Sequence, residues 1–473
     1  MALWRSTVIV SAMTMLSRVL GLVRDIVLLN VFGAGKDFDT FVVAFRIPNF
    51  FRRLFAEGAF SQAFIPVLTE YKTGRTHAEV QILISRVFGC LMTVMTALTF
   101  IAMVAAPAVL YIYAPGFHAD PEKFDLAVSM FRLTIPYLLF MSLTAFASSI
   151  LNSYGSFASP AFSPVLLNVA MIAGAWWLTP YMAEPIMALG WAVIAAGVLQ
   201  LAIQIPELWH KKLLIPPKVD FKHEGVDRIM KLMLPALFGV SVTQINLLLN
   251  TIWASFMQDG SVSWLYSAER MTELPLGLIG VAIGTVILPA LSTRHAEQDM
   301  SKFRGMMDWA AKVIVLVGVP ASIALFMLST PIIQALFQRG QFTLEDTQMT
   351  ALALQCMSAG VISFMLIKVF APGFYAQQDT KTPVRVGLMA VAANAILNVV
   401  FIGFFKLIDW QAEHMALALA SSGSALVNAG MLYFYLHKRD IFRFGAHWKK
   451  LFIQFGISNA VMIVALWYAL TWY

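Results

Sequence analysis

Charged residues are scarce in this chain of 473 residues, and their scarcity excludes most soluble folds. Asp, Glu, Lys and Arg make up 12% of the sequence, whereas soluble globular domains contain about 25%. Hydrophobic residues make up 59%, and the mean hydropathy is +0.74. Apolar stretches recur along the whole chain, each of about 20 residues, which is the length that one helix needs to cross a bilayer. The composition therefore predicts an all-α polytopic membrane protein.

Other absences narrow the functional class. The sequence has only two cysteines, Cys90 and Cys356, each within an apolar stretch, so no disulfide or metal framework is predicted. The phosphate-cradling motif GxxxxGKS/T is absent, which argues against ATP hydrolysis. No DDxxD-like acidic run is present, as a metal-dependent enzyme acting on polyprenyl diphosphates would need. These absences favour a carrier over an enzyme.

The hydropathy pattern predicts thirteen crossings, arranged as two lobes of six helices with one further helix. FIPVLTEY (64–71) resembles ILPALSTR (287–294), and SPAF (159–162) resembles TPVR (382–385). Both pairs place proline on proline at an offset of 223 residues. With six helices before the midpoint, this predicts a parallel repeat around a central cavity, as in many secondary transporters. The expected divisions are an N-terminal lobe (1–209), a cytoplasmic linker (210–228), a C-terminal lobe (229–437) and a C-terminal extra helix (438–473).

Basic residues in the predicted loops and at the ends of the predicted helices are distributed unequally between the two sides of the membrane. With a cytoplasmic N-terminus, 21 Lys and Arg residues lie on the cytoplasmic side and four on the opposite side. Cytoplasmic loops are enriched in basic residues, so the N-terminus is predicted to be cytoplasmic. The net charge of +7 follows this topology, and no nucleic-acid partner is predicted.

The remaining eight basic residues lie inside predicted helices. Arg18 is about eleven residues from the start of the first helix, roughly 16 Å deep, where an arginine facing lipid would be costly. It is therefore expected to face a protein interior or a water-filled cavity. On the second helix, spacings of seven, seven and four place one charged stripe on a single face. Its members are Asp39, Arg46, Arg53 and Glu57.

Two interpretations of these charges stay open. The first is a set of buried ion pairs between neighbouring side chains, including Arg270 with Glu273 at a spacing of three. It applies best to Arg46, Arg53, Glu57, Glu269 and Glu273. The second is a cationic cavity for an anionic ligand, because guanidinium groups donate paired hydrogen bonds to phosphate and stay charged. It is favoured for Arg18, Arg24, Arg52 and Arg270.

Several segments resemble the MurJ/MviN family of lipid II flippases. They are SRVLGLVRD (17–25), FGAG (32–35), RIPNFFRRLFAEGAFSQAFIPVLTEY (46–71), APGF (114–117), GSVSWLYSAERMTELPLGLIGVAIGTVILPALS (260–292) and APGFYAQQDTKTPV (371–384). The likeness runs along nearly the whole chain, and AEGAFSQAF is its most specific part. The family belongs to the multidrug/oligosaccharidyl-lipid/polysaccharide exporter superfamily, so the resemblance implies two six-helix lobes and two groove-forming helices. The fourteenth helix of the family has no counterpart in the predicted set.

The resemblance implies a transporter, not an enzyme. The implied substrate is undecaprenyl-diphosphate-linked MurNAc(pentapeptide)-GlcNAc, moved by alternating access from the cytoplasmic to the periplasmic leaflet of the bacterial inner membrane for peptidoglycan synthesis. The implied partners are lipid II and membrane lipids, with the peptidoglycan synthesis machinery as a further candidate. No cofactor is expected, and coupling to a monovalent cation or to the membrane potential stays open.

The same resemblance assigns the site residues. The substrate-binding residues it implies are Arg18, Arg24, Arg52 and Arg270. The implied supporting residues of the cavity or gate are Ser17, Asp25, Asp39, Arg53, Ser263, Glu269 and Glu273. Glu269 departs from the aspartate that relatives often carry there. No catalytic or metal-binding residue is expected.

Other functions stay open beside this one. A related exporter of another lipid-linked oligosaccharide would need the same basic residues. A drug exporter of the same superfamily takes cations and would line its cavity with carboxylates and aromatic rings. A membrane enzyme acting on polyprenyl diphosphate would need an acidic metal cluster, or a nucleophile with a base. A non-transporting scaffold leaves the central arginines without a purpose.

Overall fold

A computed structural model describes residues 2–52, 60–445 and 447–472, and within these ranges the chain is helical and contains no strand. The first half of the chain contributes ten helices. In chain order they are α1 (Ala2–Phe32), α2 (Lys36–Arg52), α3 (Phe60–Gly74), α4 (His77–Val104), α5 (Ala106–Tyr113), α6 (Pro121–Thr134), α7 (Tyr137–Ser153), α8 (Ala158–Ala173), α9 (Met187–Ala202) and α10 (Ile205–His210).

The second half of the chain contributes another ten helices. They are α11 (Glu224–Ala254), α12 (Ser261–Pro275), α13 (Val281–Ala296), α14 (Met300–Met327), α15 (Ser329–Phe337), α16 (Leu344–Ser358), α17 (Val361–Tyr375), α18 (Lys381–Leu407), α19 (Met415–Lys438) and α20 (His447–Thr471).

Nine helical segments in the described ranges are long and apolar enough to cross a membrane. They correspond to the third to sixth and the ninth to thirteenth of the predicted crossings. The other four predicted crossings each include residues whose side chains lie outside the description, and they stay predictions. The chain is thus a multi-pass helical membrane protein.

Several crossings predicted as single helices are interrupted, three of them as follows. The crossing expected over 80–112 divides into α4 and α5 at Ala105, two residues before Pro107. The crossing expected over 126–151 divides into α6 and α7 beside Pro136. Proline lacks the backbone N–H that a helix interior needs, which explains why both breaks lie beside it. In the third, expected over 263–290, a π-helical turn at Leu276–Gly280 separates α12 from α13.

The helix pattern of the first half recurs 223 residues later. His77 begins α4 and Met300 begins α14, and both helices contain 28 residues. The starts of α6 and α16, and those of α8 and α18, are separated by the same interval. The offset seen in the paired prolines therefore extends to helix starts and helix lengths.

The residues that cap these helices recur at the same interval. Thr76 accepts a backbone hydrogen bond at the start of α4, and Asp299 does so at the start of α14. Asp120 and Thr343 cap α6 and α16 in the same way. A side-chain oxygen at this position satisfies a backbone donor that has no partner within the helix. The repeat therefore has a local cause that can be read in the sequence.

The chain divides into two compact units. Unit 1 consists of Met1–Gln244, Gln258–Val262 and Arg339–Phe342, and unit 2 consists of Ile245–Met257, Ser263–Gln338 and Thr343–Tyr473. In unit 1, α8 packs against α1 and α9, and α6 packs against α2. In unit 2, α19 packs against α16, α17 and α18, while α20 packs against α14.

Aromatic side chains fill the core of each unit. In unit 1, Phe60, Phe64 and Phe146 form a mutually contacting cluster between α3 and α7. Phe60 and Phe64 both belong to the AEGAFSQAF stretch (56–64), so part of that motif contributes to packing. In unit 2, Phe374 and Trp448 are among the largest fully buried side chains.

The segment between α10 and α11 lies along α4 within unit 1. The hydroxyl of Ser85 donates to the carbonyl of Pro216 at 2.7 Å, and the backbone carbonyl of Ser85 accepts the N–H of Lys218 at 3.0 Å. A Cβ atom at Gly89 would lie 2.4 Å from the backbone of Lys218, so this approach requires glycine. The predicted linker is therefore attached to unit 1 by backbone contacts.

Candidate functional site

The first cluster of predicted site residues surrounds Arg24, in the last third of α1. Arg24 is 6% exposed and donates from Nε and Nη2 to Oδ1 of Asp25, at 2.9 and 2.6 Å. Its Nη1 donates to Oδ1 of Asn168 on α8 at 3.0 Å. Asn168 in turn donates from Nδ2 to the carbonyl of Ser17 at 3.0 Å. The structure thus brings Ser17, Arg24 and Asp25 together around one buried guanidinium.

Arg18 and Arg52 lie in different surroundings from Arg24. Arg18 is exposed on α1, and it lies six residues before Arg24, so the two side chains leave the helix about 120° apart. Arg52 is half-buried at the end of α2 and donates from Nε to Oδ1 of Asn49 at 2.8 Å. Arg53 and Glu57 lie outside the described residues, so the charged stripe on α2 is described only for Asp39 and Arg46.

Asp39 is buried at the start of α2 and contacts a lysine from another helix. Its Oδ2 lies 3.4 Å from Nζ of Lys123 on α6 and accepts the N–H of Gly260 at 2.8 Å. Lys123 is 4% exposed, lies 2.6 Å from Oδ1 of Asp259 and sits over the ring of Phe117. All of these residues belong to unit 1. They form a network in which one buried cation contacts a buried carboxylate, that of Asp39, and an exposed carboxylate, that of Asp259.

The second cluster lies on α12 in unit 2. Arg270 donates from Nη1 to Oε2 of Glu273 at 3.0 Å, so the pair expected from a spacing of three forms. Its Nη2 donates to the hydroxyl of Tyr266 at 3.1 Å, and its guanidinium lies over the ring of Tyr266. Glu269 is half-buried one residue earlier. This arginine keeps a partly open environment, in contrast to Arg24.

Ser263 lies at the buried start of the same helix. It is fully buried, and its carbonyl accepts the hydroxyl of Ser267 at 2.8 Å. Trp264 follows it and donates from Nε1 to Oδ1 of Asp346 on α16 at 2.9 Å. Ser263 therefore lies two turns before Arg270, on a part of α12 that is anchored to α16.

Two residues of these networks have no place in the sequence-based site. Asn168 is separated from Arg24 by 144 positions, and nothing in local spacing relates them. Lys123 resembles an ordinary basic loop residue in the sequence, next to the helix-capping pair of Asp120 and Pro121. A weak signal for Lys123 exists, because a cation at a helix N-terminus opposes the helix dipole and needs a compensating partner.

Asparagines in unit 2 connect three helices. Asn398 on α18 donates to Oδ1 of Asn250 on α11 at 3.2 Å and to Oδ1 of Asn394 at 3.1 Å. Asn250 donates to the hydroxyl of Ser421 on α19 at 2.8 Å. Such amide contacts hold helices together where apolar lipid provides no competing donor or acceptor.

The geometry supports anion binding better than proton chemistry. Arg24 and Arg270 carry a charge that stays on at every physiological pH, and each already orients its guanidinium with neutral and acidic partners. A phosphate group accepts the same paired hydrogen bonds that a carboxylate accepts. Each cluster could therefore exchange part of its contacts for an anionic ligand.

Comparison with known families decides the class. The family model described as "Lipid II flippase MurJ" matches residues 28–473. The chain belongs to the MurJ family of lipid II flippases.

Relatives of the MurJ family align along nearly the whole chain. "Probable lipid II flippase MurJ" of Vibrio cholerae is 44% identical over 471 residues, covering 98% of this chain and 88% of the relative. "Lipid II flippase MurJ" of Burkholderia cenocepacia is 40% identical over 471 residues, covering 98% and 89%. These relatives are named as flippases, so the chain is a transporter and not an enzyme.

Solved structures agree with the MurJ assignment. A structure described as "Lipid II flippase MurJ, inward closed conformation" has a TM-score of 0.82 at 26% identity, covering 98% of this chain and 93% of that one. An inward-facing MATE family transporter of the MOP superfamily has a TM-score of 0.74 at 12% identity, covering 91% and 97%. The second likeness shows the shared fold alone. The fold expected from the sequence is confirmed.

Proposed function

We propose that this MurJ family member moves undecaprenyl-diphosphate-linked MurNAc(pentapeptide)-GlcNAc from the cytoplasmic to the periplasmic leaflet of the bacterial inner membrane. The observation that carries the proposal is the buried Arg24, held by one carboxylate and one amide in an apolar helix. Burying a cation in a membrane helix is energetically costly, so its presence indicates a functional role. The names of the relatives supply the lipid-linked substrate.

The proposed binding residues for the diphosphate are Arg18, Arg24, Arg52 and Arg270. The proposed supporting residues are Ser17, Asp25, Asp39, Arg53, Ser263, Glu269 and Glu273. In this proposal the carboxylates hold the arginines while no substrate is bound. The diphosphate then replaces some of these contacts, because it offers more acceptor oxygens and more negative charge than one carboxylate.

The transport cycle follows from the cost of moving charge. A diphosphate in hydrocarbon would be prohibitively unfavourable, so the protein must surround the head group while the polyprenyl tail stays in lipid. We propose alternating access, in which the arginines receive the diphosphate from the cytoplasmic leaflet and release it to the periplasmic leaflet. The excess of basic residues in the predicted cytoplasmic loops supports an N-terminus in the cytoplasm.

We propose the membrane potential as the energy source, without a cofactor. A potential that is negative inside favours export of an anion, at about 2.3 kcal/mol per charge for each 100 mV. It also favours return of the empty, positively charged site towards the cytoplasm. No nucleotide needs to be hydrolysed in such a cycle.

Depletion in cells tests this function directly. When the protein is removed from a strain that has no other copy, lipid II exposed on the outer face should fall while total lipid II rises. Synthesis of the precursor would continue inside, so only translocation explains both changes. Unchanged exposure on the outer face, measured while the protein is gone, would contradict the proposal.

A further inference from the structure

We propose that Asn168 is a positioning residue that orients Arg24 towards the diphosphate. The inference rests on the proposed function and extends its site to α8, which no predicted site residue occupies. Asn168 is 5% exposed and lies on α8, which packs against α1. It does not need to touch the substrate in order to act.

The amide of Asn168 is held by both of its ends. Its Oδ1 accepts from Nη1 of Arg24 and its Nδ2 donates to the carbonyl of Ser17, each at 3.0 Å. Reversing the amide would place a donor against a donor and an acceptor against an acceptor, so only one orientation fits. Because the Ser17 carbonyl belongs to the same helix as Arg24, the amide fixes the guanidinium relative to the α1 backbone.

Gly21 on α1 faces this amide. A Cβ atom added at Gly21 would lie 3.8 Å from Nδ2 and 3.9 Å from Oδ1 of Asn168, in ordinary contact. Ser17, Gly21 and Arg24 lie at spacings of four and three, so they share one face of the helix. This face of α1 meets Asn168 on α8.

The neutral charge of Asn168 is the chemically important property. Asp25 already supplies one negative charge to Arg24, at 2.6 Å. A second acceptor that is neutral directs the guanidinium without removing its remaining attraction for phosphate. A carboxylate at position 168 would keep the hydrogen bond and would cancel that attraction. Substitutions at position 168 therefore test the orienting hydrogen bond and the charge separately.

The test compares Asn168→Asp, Asn168→Ala and the exchange variant Asp25→Asn with Asn168→Asp. Purified proteins in lipid nanodiscs are titrated with lipid II, and their thermal unfolding is measured in parallel. We expect Asn168→Ala to bind about tenfold more weakly, the usual effect of losing one hydrogen bond to a charged group. Asn168→Asp should also bind about tenfold more weakly, because its carboxylate cancels part of the attraction of Arg24 for the diphosphate. Asn168→Asp should keep the bond to Arg24 but unfold at a lower temperature than the wild type, because its second carboxylate oxygen would face the Ser17 carbonyl.

The exchange variant restores one carboxylate and one amide around Arg24. It should recover affinity to within about threefold of the wild type, as expected when the total charge is restored. A purely structural role for Asn168 would not produce this recovery. If Asn168→Asp and Asn168→Ala both bind as tightly as the wild type, the inference is overturned.

Two further variants separate the possible failures. Gln200→Ala removes another buried amide that bonds α8, through the carbonyl of Ser163 at 2.9 Å, and it should lower stability without changing affinity. Arg24→Ala tests the proposed function itself. Unchanged affinity in Arg24→Ala would remove Arg24 from the binding site, whereas weak binding in Arg24→Ala with normal binding in both Asn168 variants would refute only the role of Asn168.

Discussion

Single residues in this protein combine a full charge with deep burial. Arg24 in α1 and Lys123 in α6 are each less than one-tenth exposed, and each contacts a buried carboxylate, Asp25 at 2.6 Å and Asp39 at 3.4 Å. A buried pair of this kind adds little stability compared with apolar packing, but removing one partner is strongly destabilising. The two residues therefore give a direct way to separate stability from transport.

Replacing Asp25 by Asn should destabilise the protein and strengthen its binding of phosphate. The change leaves Arg24 buried beside a neutral amide in place of a carboxylate. This should lower the free energy of unfolding by about 3 kcal/mol. Inorganic pyrophosphate should then raise the unfolding temperature of this variant more than that of the wild type. The measurement is thermal unfolding with and without pyrophosphate.

Glu224→Gln is the matched control for this substitution, because Glu224 pairs with Arg75 at 3.3 Å on the exposed surface. A surface pair contributes about 1 kcal/mol or less, so the control should unfold near the wild-type temperature. Equal effects of pyrophosphate on Asp25→Asn and on the wild type would contradict the proposed competition between Asp25 and the diphosphate.

Replacing Lys123 by Met should destabilise unit 1 by about 3 kcal/mol. The substitution keeps the length of the side chain but leaves Asp39 buried, at 1% exposure, without the lysine charge. Thermal unfolding is the measurement, and Lys36→Met is the control because Lys36 pairs with Asp120 and Glu122 at the surface. Adding Asp39→Asn to Lys123→Met should recover part of the lost stability. If Lys123→Met and Lys36→Met lose similar stability, burial of the pair between Lys123 and Asp39 is unimportant.

At the scale of helices, the internal repeat places residues at equivalent positions, but their charges can differ between the two halves. Lys123 and Asp346 occupy equivalent positions, 223 residues apart, each three residues after a capping side chain. Asp346 has the sign that a helix N-terminus favours, and it binds Trp264. Lys123 has the unfavourable sign and is compensated by Asp39 and Asp259. The two halves therefore share geometry while their chemistry differs.

The start of α18 provides a test by pH outside the membrane. Asp379 accepts from the backbone and hydroxyl of Thr382 and pairs with Arg439 at 2.7 Å. Burial by itself raises the pKa of Asp379, but these hydrogen bonds outweigh it and lower the pKa to about 2. The unfolded carboxyl titrates at about 3.9, so this stabilisation is present above that pH and is lost as the pH falls towards 2.

Asp379→Asn should therefore cost about 1 kcal/mol at pH 7, after allowance for solvent screening of the partly exposed Arg439. The difference between wild type and variant should shrink as the pH is lowered from 4 to 2. Unfolding temperatures measured across this range check the prediction. A difference that stays constant with pH would show that the carboxylate charge of Asp379 does not stabilise this helix start.

Much of this element pattern could be predicted from the sequence, for local reasons. Apolar runs located the nine spans, and Pro66, Pro160, Pro289 and Pro383 revealed the offset of the repeat. The pair of Arg270 with Glu273 followed from helical spacing. The breaks at Ala105 and beside Pro136 were not predicted, because long apolar runs continue through both positions.

The site residues that could not be predicted from the sequence contact residues that are distant in the chain. Asn168 meets Arg24 only because α8 packs on α1, and a single asparagine in an apolar helix carries no sign of its partner. Lys123 reaches Asp39 through the packing of α6 on α2. Sequence patterns identify residues that are unusual by themselves, such as an arginine at mid-membrane depth. They do not identify an ordinary residue that becomes important through its neighbours.

At the scale of the whole molecule, the arginines of the proposed site belong to both compact units. Unit 1 contains Arg18, Arg24 and Arg52, and unit 2 contains Arg270. The MurJ family match spans most of the chain and includes both units. A flippase that depends on these arginines should fail when they are removed from either unit, even if that unit still folds.

The most direct test is translocation of lipid II by purified protein in vesicles that contain no other transporter. Wild-type protein should move lipid II across the bilayer, and the variant with Arg18, Arg24 and Arg270 all changed to Ala should lose this activity. Arg270→Lys should retain part of it, because the charge remains while the paired hydrogen bonds are lost. Translocation by the triple variant at the wild-type rate, with both proteins equally folded, would contradict the central claim that these guanidinium groups bind the diphosphate.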